Sequence, residues 1–155
     1  MYKRQRQTTA ITFPDSPLST PDDAAWRGGP VPGATLPTAP VAIRRGNVAA
    51  AGHLLDLLGK RPTVIAFVNG AWLAAQTEAA LDAAAVDVVL VSARDQVDAR
   101  HPVAMDERGR VAALLAATPG AGYLVRPDGH VACRWQDFAA PRFAAALARL
   151  MGRGS

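Results

Sequence analysis

The sequence predicts an α/β domain: an open sheet with helices on both faces, parallel strands in the middle and an antiparallel hairpin at one side. Three observations carry this. TVIAFV (63–68) and VDVVLV (86–91) are apolar runs rich in β-branched residues, as expected of strands covered on both faces. An Ala-rich stretch over 73–85 separates them, so strand, helix and strand follow within about 30 residues, and a right-handed crossover with parallel strands is the economical arrangement. The stretch 122–135, GYLVRPDGHVACRW, then sets Tyr123-Leu124-Val125 and Val131-Ala132-Cys133 around Arg126-Pro127-Asp128-Gly129, and apolar runs bounded by Pro-Asp-Gly signal a tight hairpin.

Residues 1–40 read as an extended lead-in. Pro14, Pro17, Pro21, Pro30, Pro32, Pro37 and Pro40 remove backbone donors and block helix. TAITF at 9–13 has the pattern of one strand, with no hairpin mate nearby, as at the end of something whose beginning is missing. The domain itself is expected over 41–152. GHLLDLLG (52–59) places four leucines on one or two helical turns, with Gly59 as the stop. Strand 63–68 should be central. It is broken by Asn69-Gly70, and the helix that follows turns Leu73, Ala80, Leu81 and Ala84 to one face.

Strand 86–91 comes next, and then a helix from Gly109 or Arg110 to Ala117 with Val111, Leu114 and Leu115 toward the core. In the hairpin, Pro127 presets φ and Gly129 accepts the positive φ that closes the turn. Val131, Cys133 and Trp135 alternate with His130, Ala132 and Arg134, which predicts a half-buried strand. An amphipathic helix over 138–151, with Phe138, Phe143, Leu147 and Leu150 inward, ends the domain. The order β-α-β-α-β-β-α is the thioredoxin-like architecture.

A chain of 155 residues suits one domain and buries an ordinary core. Its single cysteine, Cys133, forms no internal disulfide, and a reducing cytoplasm is the simplest compartment. His53, His101 and His130 stand far apart, against a metal cluster. A basic start (Lys3, Arg4, Arg6) is followed by no apolar core, which is unlike a signal peptide, and no run approaches the roughly 20 residues that span a bilayer. The net charge is +4 and the pI about 10.0. The arginines are interleaved with Asp and Glu, which reads as a solvated surface, not a nucleic-acid stripe.

The hairpin LVRPDGHVACRW resembles the C-terminal thioredoxin-like domain of FAD-dependent aromatic hydroxylases, the group of phenol hydroxylase and pentachlorophenol monooxygenase. Ser16-Pro17-Leu18-Ser19 with Gly29-Pro30-Val31-Pro32-Gly33 resembles the linker leaving their catalytic part, GHLLDLLG the opening of the small domain, and Met105-Asp106-Glu107-Arg108-Gly109 the segment before its hairpin. The likeness spans about residues 10–151. It implies a parent enzyme in which FAD, reduced by NAD(P)H, hydroxylates an aromatic ring with O2. It also implies that 1–40 ends a missing catalytic domain, that the partners are the FAD and substrate domains, and that a homodimer is in keeping. Neither GxGxxG after a strand nor the Gly-Asp flavin motif occurs here, so no cofactor-binding residue is expected in this chain.

Redox chemistry on this fold needs a low-pKa thiolate at the start of the helix after the first central strand. That place here is Asn69-Gly70-Ala71-Trp72-Leu73, without cysteine, and Cys133 inside a strand reads as a small buried hydrophobe. Pro119 falls near the place of the cis proline of active thioredoxins, although a loop proline that ends a helix accounts for it. Asp128 and His130 have the chemistry of an acid/base pair, but turn formation explains the first and an exposed strand position the second. Trp72 and Trp135 suit either a core cap or a protein interface, and Arg126 and Arg134 suit ion pairs across one. No catalytic or metal-binding set emerges. Two other readings stay open: a free-standing binding module using Trp72 and Trp135, and a thiol enzyme using Cys133.

Overall fold

The computed structural model describes residues 28–68, 75–94, 98, 100–118, 120–137 and 140–150. Trp72, Pro119, Leu73, Phe138 and the patch 9–13 lie outside them. Among the described residues, seven strands form one sheet: β1 (Pro40–Arg45), β2 (Val48–His53), β3 (Thr63–Phe67), β4 (Asp87–Ser92), β5 (Val103–Met105), β6 (Gly122–Val125) and β7 (Val131–Trp135), in the order β2-β1-β5-β4-β3-β6-β7. The helices among these residues are α1 (Ala75–Ala83), α2 (Arg110–Leu115) and α3 (Ala140–Leu150), with a 3₁₀ turn at Leu54–Leu57.

The predicted centre is present. β3 and β4 pair in parallel across α1, β3 pairs antiparallel with β6, and β6 with β7. Every residue of β3 is buried, as its unbroken apolar run requires of a strand covered on both faces. One core lies on the α2 side, around Ile65, Phe67, Val89, Val111, Leu115 and Tyr123. The other lies under α1 and α3, around Val64, Leu81, Leu90, Leu124, Trp135 and Phe143. At roughly 1.5–3 kcal/mol for each large apolar side chain removed from water, these two layers drive folding.

Several expectations are corrected. β1, β2 and β5 were not anticipated. β1 and β2 form a hairpin through Gly46-Asn47, where Gly46 (φ 59°) holds the first central position that a type II′ turn reserves for glycine. The leucines of 52–59 make a single 3₁₀ turn, and the chain is already extended at Leu58, before Gly59. α2 is only six residues long and ends where Ala116 turns left-handed (φ 50°). It buries Val111 and Leu115, while Leu114, expected inside, is 44% exposed.

The half-buried hairpin is also corrected: β6 and β7 are buried throughout. The register slips between Leu124, which faces Cys133, and Val125, which faces Val131, leaving Ala132 as an extra residue. Such a bulge reverses the alternation. Val131 therefore joins the α2-side core, while Cys133 and Trp135 join the other.

Candidate functional site

The hairpin turn is built by its own sequence. The Gly129 N–H donates to the Arg126 carbonyl (2.9 Å) and the Arg126 N–H to the His130 carbonyl (2.8 Å), with Gly129 at φ 90°. Asp128 accepts the His130 N–H (3.1 Å), pairs with the Arg126 guanidinium and lies 3.2 Å from His130 Nδ1. Burial pushes the Asp128 carboxyl up, but the backbone hydrogen bond from His130, the Arg126 charge and the His130 ring outweigh it and hold it below the ordinary carboxylate range. Arg126, Asp128 and His130 are thus brought together around Pro127, and each named contact closes the turn. His130, expected on an exposed strand position, is a partly buried bridge residue opposite Thr35.

Arg134 faces Tyr123 across the hairpin and is 1% exposed. Its Nη1 donates to the Gly28 carbonyl (2.7 Å) and lies 3.4 Å from the Tyr123 hydroxyl, which donates to the Leu115 carbonyl (2.5 Å). Gly29 crosses this node so closely that a Cβ there would stand 2.6 Å from the Leu115 carbonyl oxygen. Beyond it the lead-in runs along the hairpin: the Gly33 and Leu36 N–H groups donate to the Val131 and Gly129 carbonyls (2.7 and 2.8 Å), and the Val131 N–H to the Ala34 carbonyl (2.8 Å).

Trp135 is 3% exposed and meets Phe143 edge-on, with centroids 6.3 Å apart and planes at 75°. Of the two settings that suit an aromatic here, the described residues show the core. Cys133 is fully buried in β7.

Sequence reasoning gave no site role to Tyr123, Gly28 or Gly29, nor to the cluster on α1 in which Arg100 pairs with Glu78 and Asp82 while His101 Nε2 lies 3.1 Å from Glu78. A hydrogen bond with Asp82 and the charges of Asp82, Glu78 and Asp98 raise the Arg100 pKa against the desolvation that lowers it. Among the described residues, no group of three or more His, Cys, Asp or Glu is placed to hold a metal ion, and no helix is long and apolar enough to cross a membrane.

A model of the C-terminal part of aromatic-ring hydroxylases matches residues 29–154, the stretch from the Gly29 crossing to beyond α3. The chain belongs to the aromatic-ring hydroxylase C-terminal family. Among solved structures, this chain is similar to the flavin-dependent monooxygenase PieE in complex with FAD and substrate. There the TM-score is 0.59 at 28% identity, over 92% of this chain and 24% of that one. It is also similar to aklavinone-11 hydroxylase with FAD and aklavinone (TM-score 0.61, 24% identity, 92% of this chain and 27% of that one). The chain therefore spans about a quarter of the length of these two monooxygenases. The reduced 2-Cys peroxiredoxin of Plasmodium vivax shares the fold (TM-score 0.59, 10% identity, 76% of this chain and 80% of that one), so the fold of this chain is thioredoxin-like. None of the curated proteins matches the chain.

Proposed function

We propose that this domain is the redox-inactive C-terminal part of a FAD-dependent monooxygenase that hydroxylates aromatic substrates with NAD(P)H and O2, and that its role there is structural, packing on the FAD and substrate domains. The family match over residues 29–154 carries this reading. The buried Cys133 supports it, because thiol chemistry needs an exposed, activated thiolate.

The described residues do not fit a flavin. No strand-to-helix connection has the GxGxxG spacing, and the buried Arg134 guanidinium is engaged by the Gly28 carbonyl beside Tyr123. In this reading FAD and NAD(P)H belong to the domains before this one. The packing role is supported by the lead-in, whose residues 33–36 are hydrogen-bonded along the hairpin.

The test is the DNA upstream of the Met1 codon and the protein it encodes. The expected result is an open frame running into a GxGxxG-bearing domain, whose full product is yellow and oxidises NAD(P)H in the presence of a phenolic ring. A stop codon with a ribosome-binding site directly before Met1 would overturn the reading in favour of a free-standing binding module.

A further inference from the structure

We infer that the sheet face over Ala42, Ala51 and Met105, walled by Arg108 and Arg110, is a binding site for a small flat organic anion of the class of fused-ring arene carboxylates. The inference does not rest on the hydroxylase reading.

Strand register assembles the floor. Ala42 of β1 stands opposite Met105 of β5 on one side and Ala51 of β2 on the other, so the three side chains form one row across three strands. Met105 belongs to the core under α1 and α3, while Val41 and Ile43, the neighbours of Ala42, join the core on the α2 side. The row therefore lies on the α1 and α3 face. Met105 is only 8% exposed, whereas Ala42 and Ala51 are exposed, so the row runs out of the core onto an open floor. A cavity of about 540 Å³ is lined by this row and by Glu107, Arg108 and Arg110. Small-molecule sites occupy roughly 300–1,000 Å³.

The wall is held from below by Asp106, which is 5% exposed. Its two carboxylate oxygens accept the Val111 and Ala112 N–H groups (3.0 Å each), and its carbonyl accepts the Gly109 N–H (3.0 Å). The carboxylate is thus engaged by the backbone that carries the wall. Arg108 and Arg110 are exposed, and neither guanidinium has a partner among the described residues. Two unpaired cations therefore border an apolar floor, against the single exposed carboxylate of Glu107.

These features select the ligand. An alanine presents one methyl group, so the row offers a level surface on which a ring can lie face down. The thioether of Met105, at the buried end of the row, is a favourable neighbour for a ring edge. Guanidinium groups pair with a carboxylate through two parallel N–H···O bonds and also stack on aromatic faces. A flexible acyl chain would lose rotamer freedom that a fused ring does not have. Two arginines against Glu107 leave one positive charge in excess, which matches a monoanion.

The test is calorimetric titration of the 155-residue chain with 2-naphthoate, with backbone amide shifts recorded alongside. The expected result is saturable binding with a Kd on the order of 100 μM, weakened by salt, with shifts confined to residues 42, 51 and 105–110 and their neighbours. The flat neutral 2-naphthylmethanol and the flexible anion decanoate should each bind on the order of tenfold more weakly. Replacing both wall arginines (Arg108→Gln with Arg110→Gln) should cost about tenfold, and Glu107→Gln should tighten binding about two- to threefold. Ala51→Leu, at an exposed position, should obstruct the floor and cost a similar factor to the arginine pair; if it fails to fold, the loop variants still decide. No saturation by about 5 mM, far above the expected Kd, would overturn the inference. So would equal binding of all three probes, shifts elsewhere on the chain, or an affinity indifferent to the arginine pair.

Discussion

Tyr123 and Arg134 stand opposite each other in the β6–β7 hairpin, with Nη1 of the arginine 3.4 Å from the tyrosine hydroxyl and 2.7 Å from the Gly28 carbonyl. A guanidinium 1% exposed is costly to desolvate and persists only where its donors are answered. Here it joins the lead-in, the hairpin and, through Tyr123, the end of α2.

Arg134→Met keeps much of the volume and leaves the Gly28 carbonyl without its donor. Unfolding in urea should show a loss of about 2–3 kcal/mol, the cost of stranding buried polar groups. The Gly33 and Leu36 amides should exchange faster. A loss under about 0.5 kcal/mol, within the scatter of ordinary surface substitutions, would show that the node does not hold the lead-in.

Gly122→Ala tests the fit of the Trp135 ring. A Cβ at Gly122 would stand 2.6 Å from Cζ2, far inside contact distance, and both residues lie in a packed core. Overpacking of this kind costs about 1–3 kcal/mol. The change should lower the urea midpoint and shift the native tryptophan emission, and an unaltered midpoint would contradict the close packing.

The Asp128 carboxyl is held below its ordinary range in the folded chain, so its ionised form favours folding. That contribution is present above about pH 4, the unfolded carboxylate value, and is lost as pH falls through the lower folded value. Urea midpoints from pH 6 down to pH 2 should therefore drop less in Asp128→Asn than in the parent chain. Parallel curves would remove Asp128 from the acid response.

Cys133 is fully buried in β7. A thiol reagent such as DTNB should find no reactive group in the native chain and one equivalent in urea, since modification needs the hairpin to open. Immediate stoichiometric reaction of the folded chain would revive the thiol-enzyme reading.

The centre of the fold was legible because its signals are local. Continuous β-branched runs mark β3 and β4, and Pro-Asp-Gly marks the turn before β7. β2 was missed because alanine has weak strand preference, although Gly46-Asn47 is a recognised two-residue turn signal. β5 is three residues long, below what periodicity detects. The polar node was hidden by a single residue. Counting back from the turn with Val125 opposite Val131 puts Tyr123 opposite Cys133, and only the extra Ala132 moves it to Arg134. A one-residue slip exchanges every facing pair, and nothing in the alternation announces it.

The contact between Arg134 and Gly28 joins positions 106 residues apart. Closing a loop of that length costs about 4 kcal/mol of chain entropy on a flexible-polymer scale, so it is favourable only after the intervening sheet has brought its ends together. The first described residues should therefore be the last to settle, docking after the hairpin and α2 are in place. Refolding followed by pulsed amide exchange should show β3 and β4 protected before Gly33 and Leu36, which would make lead-in docking a late kinetic step of this topology.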